Sequence, residues 1–175
     1  MINILEGRLK TNRQKTVDIL GGPRALESLS RREIIEGLRA NWLSVLARAN
    51  TLPVKLPGSI KLLGSSRKIQ KSMEVFENLY SVVTYLAPAN SGFQKGSSRT
   101  LCPWSSRGDI SKGEPNCEVP CLGLNSGRMR MSDSQNARLW KTALWVSEKA
   151  IFRELYRREL KALERKASDG VPMVR

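Results

Sequence analysis

From Leu144 to Leu163 the large apolar residues fall at helical spacing: Leu144, Trp145, Ile151, Phe152, Leu155, Tyr156, Leu160 and Leu163. A 3.6-residue repeat gathers them on one broad side of an α-helix. A side this apolar is stable only against another element, so the chain must build a packed helical core around it. The spacing predicts a helix from near Ser134 to about residue 168, ended by Gly170 and Pro172. Lys149, Arg153, Arg157, Lys161 and Arg165 follow one another at steps of four; the last four wind across the opposite side, with Lys149 at its edge. At 1.5 Å per residue, Arg153 and Arg165 stand roughly 18 Å apart.

Two further helices are expected. Ser30-Arg31-Arg32-Glu33 is a capping box, in which the serine hydroxyl accepts from the Glu33 amide and the glutamate reaches back to the Ser30 amide. Ile34, Ile35, Leu38, Trp42, Val45, Leu46 and Ala49 then recur at helical spacing until Asn50 and Pro53. Arg31, Arg32, Arg39 and Arg48 lie off that stripe. The next stretch, "LPVKLPGSIKLLG", holds two prolines and two glycines and reads as an extended connector that packs Val54, Leu56, Ile60, Leu62 and Leu63. A third helix is expected over 66–87 from Ile69, Met73, Phe76, Leu79, Tyr80, Val83 and Leu86. Arg67, Lys68 and Lys71 occupy its first turn, where the helix dipole favours carboxylates instead. Within it, "ENLYSVVTYL" at 77–86 resembles a helix of lentiviral matrix proteins over ten residues, and nothing further is carried over from that likeness.

Residues 88–135 hold four of the eight prolines, six of the thirteen glycines and nine serines, with no sustained period. They read as a long irregular insertion, or as short turns and strands such as "CEVPCLGL", within one helical domain spanning 1–175. The expected fold is therefore mostly α, with three amphipathic helices around a shared core. Gly21-Gly22-Pro23 marks a break near the start and lacks the lysine and hydroxyl residue of a phosphate loop.

Thirty basic residues against sixteen acidic give a net charge of +14. An excess of that size points to an anionic partner. It is not confined to a tail: residues 1–87 hold 14 basic and 7 acidic side chains, 88–135 hold 6 and 4, and 136–175 hold 10 and 5. The absence of histidine removes the usual general base and every histidine-ligated metal site, so no enzymatic activity and no cofactor are expected. Cys102, Cys117 and Cys121 are an odd set without a clean pair, which suits reduced thiols better than a disulfide framework or a zinc site. No apolar run reaches the roughly 18 residues that cross a bilayer, and the first residues lack signal-peptide order. An intracellular place, cytoplasmic or nuclear, is expected. "RGD" at 107–109 is read as chance, and Trp104 beside Arg99 and Arg107 as a candidate base-stacking residue.

The functional expectation is a non-enzymatic protein that binds nucleic acid, RNA in preference, through rows of cations on helix surfaces. The candidate contacts are Lys149, Arg153, Arg157, Lys161 and Arg165, then Arg31, Arg32, Arg39, Arg67, Lys68 and Lys71. Two other readings stand beside it, the second of them using the same cations. One is a protein-interaction module, such as a host-factor antagonist, that lays Phe152, Leu155, Tyr156 and Leu163 into a partner or a second copy. The other is a matrix-like protein on an anionic membrane. The composition fits a small viral accessory or structural protein.

Overall fold

The computed structural model describes residues 14–65, 67–75, 79–87, 91–95, 101, 132–167 and 170–174. The fold is mostly α-helical. Among the described residues the α-helices are α1 Thr16–Ile19, α2 Arg31–Ala40, α3 Trp42–Ala49, α4 Arg67–Val75, α5 Ser132–Ser147 and α6 Lys149–Lys166. The strands are β1 Leu79–Val82 and β2 Val171–Val174, and one 3-10 turn covers Ala25–Glu27. The cysteines, Trp104, the 107–109 tripeptide and most of 88–135 lie outside the described residues.

Ser30 caps α2 as its sequence requires. Its hydroxyl accepts from the Glu33 amide at 3.2 Å, and the Glu33 carboxylate accepts from the Ser30 amide at 2.7 Å. The single helix expected over 30–50 is divided at Asn41, whose backbone leaves the helical region (φ −111°, ψ 14°). Its side-chain amide donates to the Thr16 hydroxyl at 3.0 Å and to the Gln14 carbonyl at 3.3 Å. The bend thus holds α1 against the α2–α3 corner. α1 itself closes on Gly21 and Gly22, both at positive φ (91° and 90°), a conformation that only glycine adopts without strain.

The third expected helix is corrected. α4 ends at Val75, and Leu79–Val82 is a strand, not helix. It pairs in parallel with β2, Leu79 opposite Val171 and Val82 opposite Val174. Val83 then exchanges backbone hydrogen bonds with Gly64 at 2.8 and 2.9 Å. Tyr80, Val82, Val83, Thr84 and Tyr85 are aromatic or β-branched and prefer extended backbone. Burial alternates accordingly, with Ser81 and Val83 inside and Tyr80 and Val82 half-exposed. The likeness to a matrix-protein helix over 77–86 fails on the same strand. Pro172 is tolerated in β2 because this short strand pairs only with β1 among the described residues.

The long C-terminal helix is two helices joined at Glu148 (φ −131°, ψ 54°). The joint keeps its ladder, since the Glu148 amide donates to the Leu144 carbonyl at 2.8 Å and the Phe152 amide to the Glu148 carbonyl at 3.0 Å. α5 packs against α3 and α6. Ile34, Leu38, Val45, Ala143, Leu144, Ile151 and Leu155 form the fully buried centre, with Ile60 and Leu62 of the connector packed in.

The Glu148 side chain has no exposed surface. Its carboxylate accepts from the Thr16 amide at 2.6 Å and the Val17 amide at 3.2 Å, and is ion-paired with Arg48. Removing one partner of a buried pair leaves the other charge uncompensated. Glu148→Gln is therefore expected to lower the unfolding free energy by about 3 kcal/mol in urea denaturation. Hydrogen exchange at the Thr16 and Val17 amides should accelerate in the same variant.

Candidate functional site

α6 distributes its charges unevenly. Glu159 turns toward the connector, where its carboxylate accepts from the Leu62 amide at 2.9 Å and the Leu63 amide at 2.8 Å. It also pairs with Arg31 at 3.2 Å. Lys141 of α5 donates to the Leu62 carbonyl at 2.8 Å and is buried; burial lowers its pKa, partly offset by the Glu159 charge. Glu154 takes both nearby arginines. Arg157 binds it through two nitrogens at 2.8 and 2.9 Å, and Arg158 approaches at 2.5 Å. Arg158 also donates to the carbonyls of Leu26 at 2.7 Å and Leu29 at 2.8 Å, so it fastens the 3-10 turn to α6.

Lys149, Arg153, Lys161 and Arg165 remain exposed, and none of them makes an ion pair among the described residues. Arg165 donates to the Lys161 carbonyl at 3.3 Å. The Lys149 ammonium lies 4.8 Å over the Trp145 ring, a cation–π contact. Arg157 belongs to the row in position, but its fork is already engaged by Glu154.

Beside this row a groove of about 420 Å³ opens. Trp145, Phe152, Tyr156 and Leu160 form its floor, Thr84 and Leu86 form one wall, and Arg153 and Arg157 form the rim. Trp145 meets Phe152 edge to face at 5.1 Å, and Phe152 stacks near-parallel on Tyr156 at 6.0 Å and 15°. The steps 145, 149, 152, 156 and 160 follow one helical stripe across the joint at Glu148. Each rim arginine comes one residue after an aromatic, so the cationic row runs alongside the rings. The lining offers ring faces, apolar walls and guanidinium donors, but no carboxylate or thiol. Such a lining can stack against a flat ring and donate hydrogen bonds to an acceptor at its edge.

The other candidate cations are placed differently. Arg31 donates to the Ile60 carbonyl and Arg39 to the Gly58 carbonyl at 2.6 Å, so both tie the connector to α2. Arg32 pairs with Glu36 on the open surface at 2.8 Å. These three do line a cleft of about 530 Å³ with Gly58, Ser59 and Ile60. Lys71 is exposed on α4, while the side chains of Arg67 and Lys68 lie outside the described residues. Of the proposed partner-binding residues, Leu155 is fully buried in the core. Phe152 is nearly buried but lines the groove, and Tyr156 and Leu163 are half-buried. Trp145, Thr84 and Leu86 were not among the expected site residues. The period placed Trp145 in the core, whereas its ring is half-exposed at the end of the aromatic stripe.

No group of three acidic or cysteine side chains suited to a metal ion occurs among the described residues, and no helix among them is long and apolar enough to cross a membrane. No protein-family model, curated protein or solved structure matches the chain.

The Glu154 clasp has a pH signature. Burial raises the pKa of this carboxyl, but the hydrogen bonds and charges of Arg157 and Arg158 outweigh that and hold it below the ordinary value. A carboxylate depressed in the folded state stabilises above its unfolded pKa of about 4.3 and loses that contribution as pH falls through the folded value. Thermal melts should therefore show the wild type ahead of Glu154→Gln near neutral pH. The gap should narrow progressively below about pH 4.

Proposed function

We propose that this protein is a non-enzymatic nucleic-acid-binding protein, RNA in preference, and that α6 is its principal contact. One observation carries the reading: Glu154 and Glu159 are consumed by internal clasps, while Lys149, Arg153, Lys161 and Arg165 stay exposed without ion partners among the described residues. With Glu154 and Glu159 turned inward, Glu164 is the exposed acid of the helix against several exposed cations, so the open side of α6 carries a net positive field. Phosphate oxygens are the natural match, and the arginine fork binds them with two parallel hydrogen bonds. Lys71, exposed on α4, is a further candidate contact. Arg31 and Arg39 are secondary contacts, because their donors already hold connector carbonyls. Binding of this kind releases counterions, so it weakens steeply with salt and reads sequence poorly.

Arg153 and Lys161 are the residues to vary, since neither holds the fold together. Charge reversal at Arg157 would instead set a carboxylate against Glu154. The double variant Arg153→Glu/Lys161→Glu should keep the wild-type melting profile and lose RNA binding at moderate salt. Neutral Arg153→Gln should weaken binding and flatten the slope of log K against log salt by about 0.7, the value of one phosphate contact on a single strand. Fluorescence anisotropy with RNA, duplex DNA and anionic phospholipid vesicles, at several salt concentrations, makes the test. Binding unchanged in the double variant rejects the proposal, and stronger binding to vesicles than to RNA transfers these cations to a membrane surface.

A further inference from the structure

We infer that the groove of Trp145, Phe152 and Tyr156 seats an unpaired nucleobase, so that the protein takes single-stranded rather than duplex RNA. This rests on the nucleic-acid reading of α6 and adds a second kind of contact to it. The charged row alone is indifferent to strandedness, because a duplex presents phosphates at least as densely as a single strand. The groove is not indifferent.

Its geometry suits a base in four respects. Phe152 and Tyr156 stack within 15° of parallel, and Tyr156 is half-exposed, so a further flat ring can extend the stack. Base-on-aromatic stacking is favourable and tolerant of base identity. The volume of about 420 Å³ lies within the range of small-ligand sites, roughly 300–1,000 Å³. Thr84 on the wall has already donated its hydroxyl proton to the Leu62 carbonyl at 3.0 Å, which leaves its oxygen as an acceptor for a base N–H. Arg153, free of ion pairs among the described residues, stands on the rim, where the phosphate attached to a seated base would emerge. A base within a duplex reaches such a groove only by extrusion, which costs its stacking and its pairing. An acidic peptide matches the cations but, without aromatic side chains, makes no use of the parallel ring faces.

The test varies the ligand first, so that it does not depend on a variant folding. Three probes are compared with the full-length protein at one salt concentration. They are a short oligouridylate, a strand of equal length made of abasic ribose phosphate, and a duplex of equal length. A fourth probe, an oligouridylate carrying one 2-aminopurine, reports stacking by quenching. The oligouridylate is expected to bind about tenfold more tightly than the abasic strand, with the same salt slope, and 2-aminopurine fluorescence should fall on binding. Tyr156→Leu, which keeps apolar volume, should bring oligouridylate down to the abasic affinity without altering the slope, and Tyr156→Phe should restore it. Equal affinity for intact and abasic strands, or no effect of Tyr156→Leu in a folded variant, overturns the inference. If binding then still collapses in Arg153→Glu/Lys161→Glu, the phosphate reading of α6 survives and the groove belongs to another ligand, such as a peptide. If RNA does not bind, both fall together.

Discussion

A carboxylate stripped of water must find donors inside the protein or give up its charge. Glu148 finds them in the first two amides of α1 and in Arg48, residues a hundred or more positions earlier in the chain. That single satisfaction has three structural consequences. It fixes the joint at which α5 gives way to α6. It holds the segment from Gln14 to Val17 against the helical core, with Asn41 closing the other side. It also sets the relation between Trp145, before the joint, and Phe152, after it, whose edge-to-face contact begins the groove. Stability and the geometry of the candidate site therefore depend on the same buried charge.

Glu154 and Glu159 repeat the device further along α6. Each reaches a segment without regular structure of its own: the 3-10 turn, through Arg158, and the connector at Leu62 and Leu63. The connector shows why such clasps are needed. Its backbone groups cannot pair with one another as those of a helix do, and buried ones must be satisfied elsewhere. Arg31, Arg39, Lys141, Thr84 and the Trp42 indole nitrogen supply donors to its carbonyls, while Glu159 accepts from its amides. Glu159 is drawn into this work because the connector amides require an acceptor, whereas Glu154 serves the 3-10 turn indirectly by holding Arg158 in place. The exposed positive surface follows from that internal demand.

What could be read from the residues divides along the same line. The Ser30 capping box was legible because both partners lie within four residues of each other. The broad apolar side of the last helix was legible because its period persists for twenty residues. The strand at Leu79–Val82 was not, since its partner is some ninety positions away and its apolar spacing also fits a helix. Glutamate is a good helix former, so nothing local at Glu148 announces a break. Arg31 and Arg39 looked like a free basic face because their acceptors are backbone carbonyls, which leave no mark in a sequence. The row of cations was visible from its spacing, but its division into the committed Arg157 and the uncommitted Arg153 needed the third dimension.

The cations of α6 also differ in what they imply. Arg165 and Lys166 occupy the last turn, where the helix dipole favours positive charge whether or not a ligand exists. Lys149 stands at the first helical position, against the dipole, but the Trp145 ring at 4.8 Å gives it a local compensation. Arg157 is repaid by Glu154. Arg153 has none of these reasons to be where it is. It lies in the N-terminal half of the helix, exposed and without an ion pair among the described residues, on the rim of an aromatic groove. A cation with no internal role, placed beside the main stacking surface of the helix, is the residue whose position most calls for an external anion.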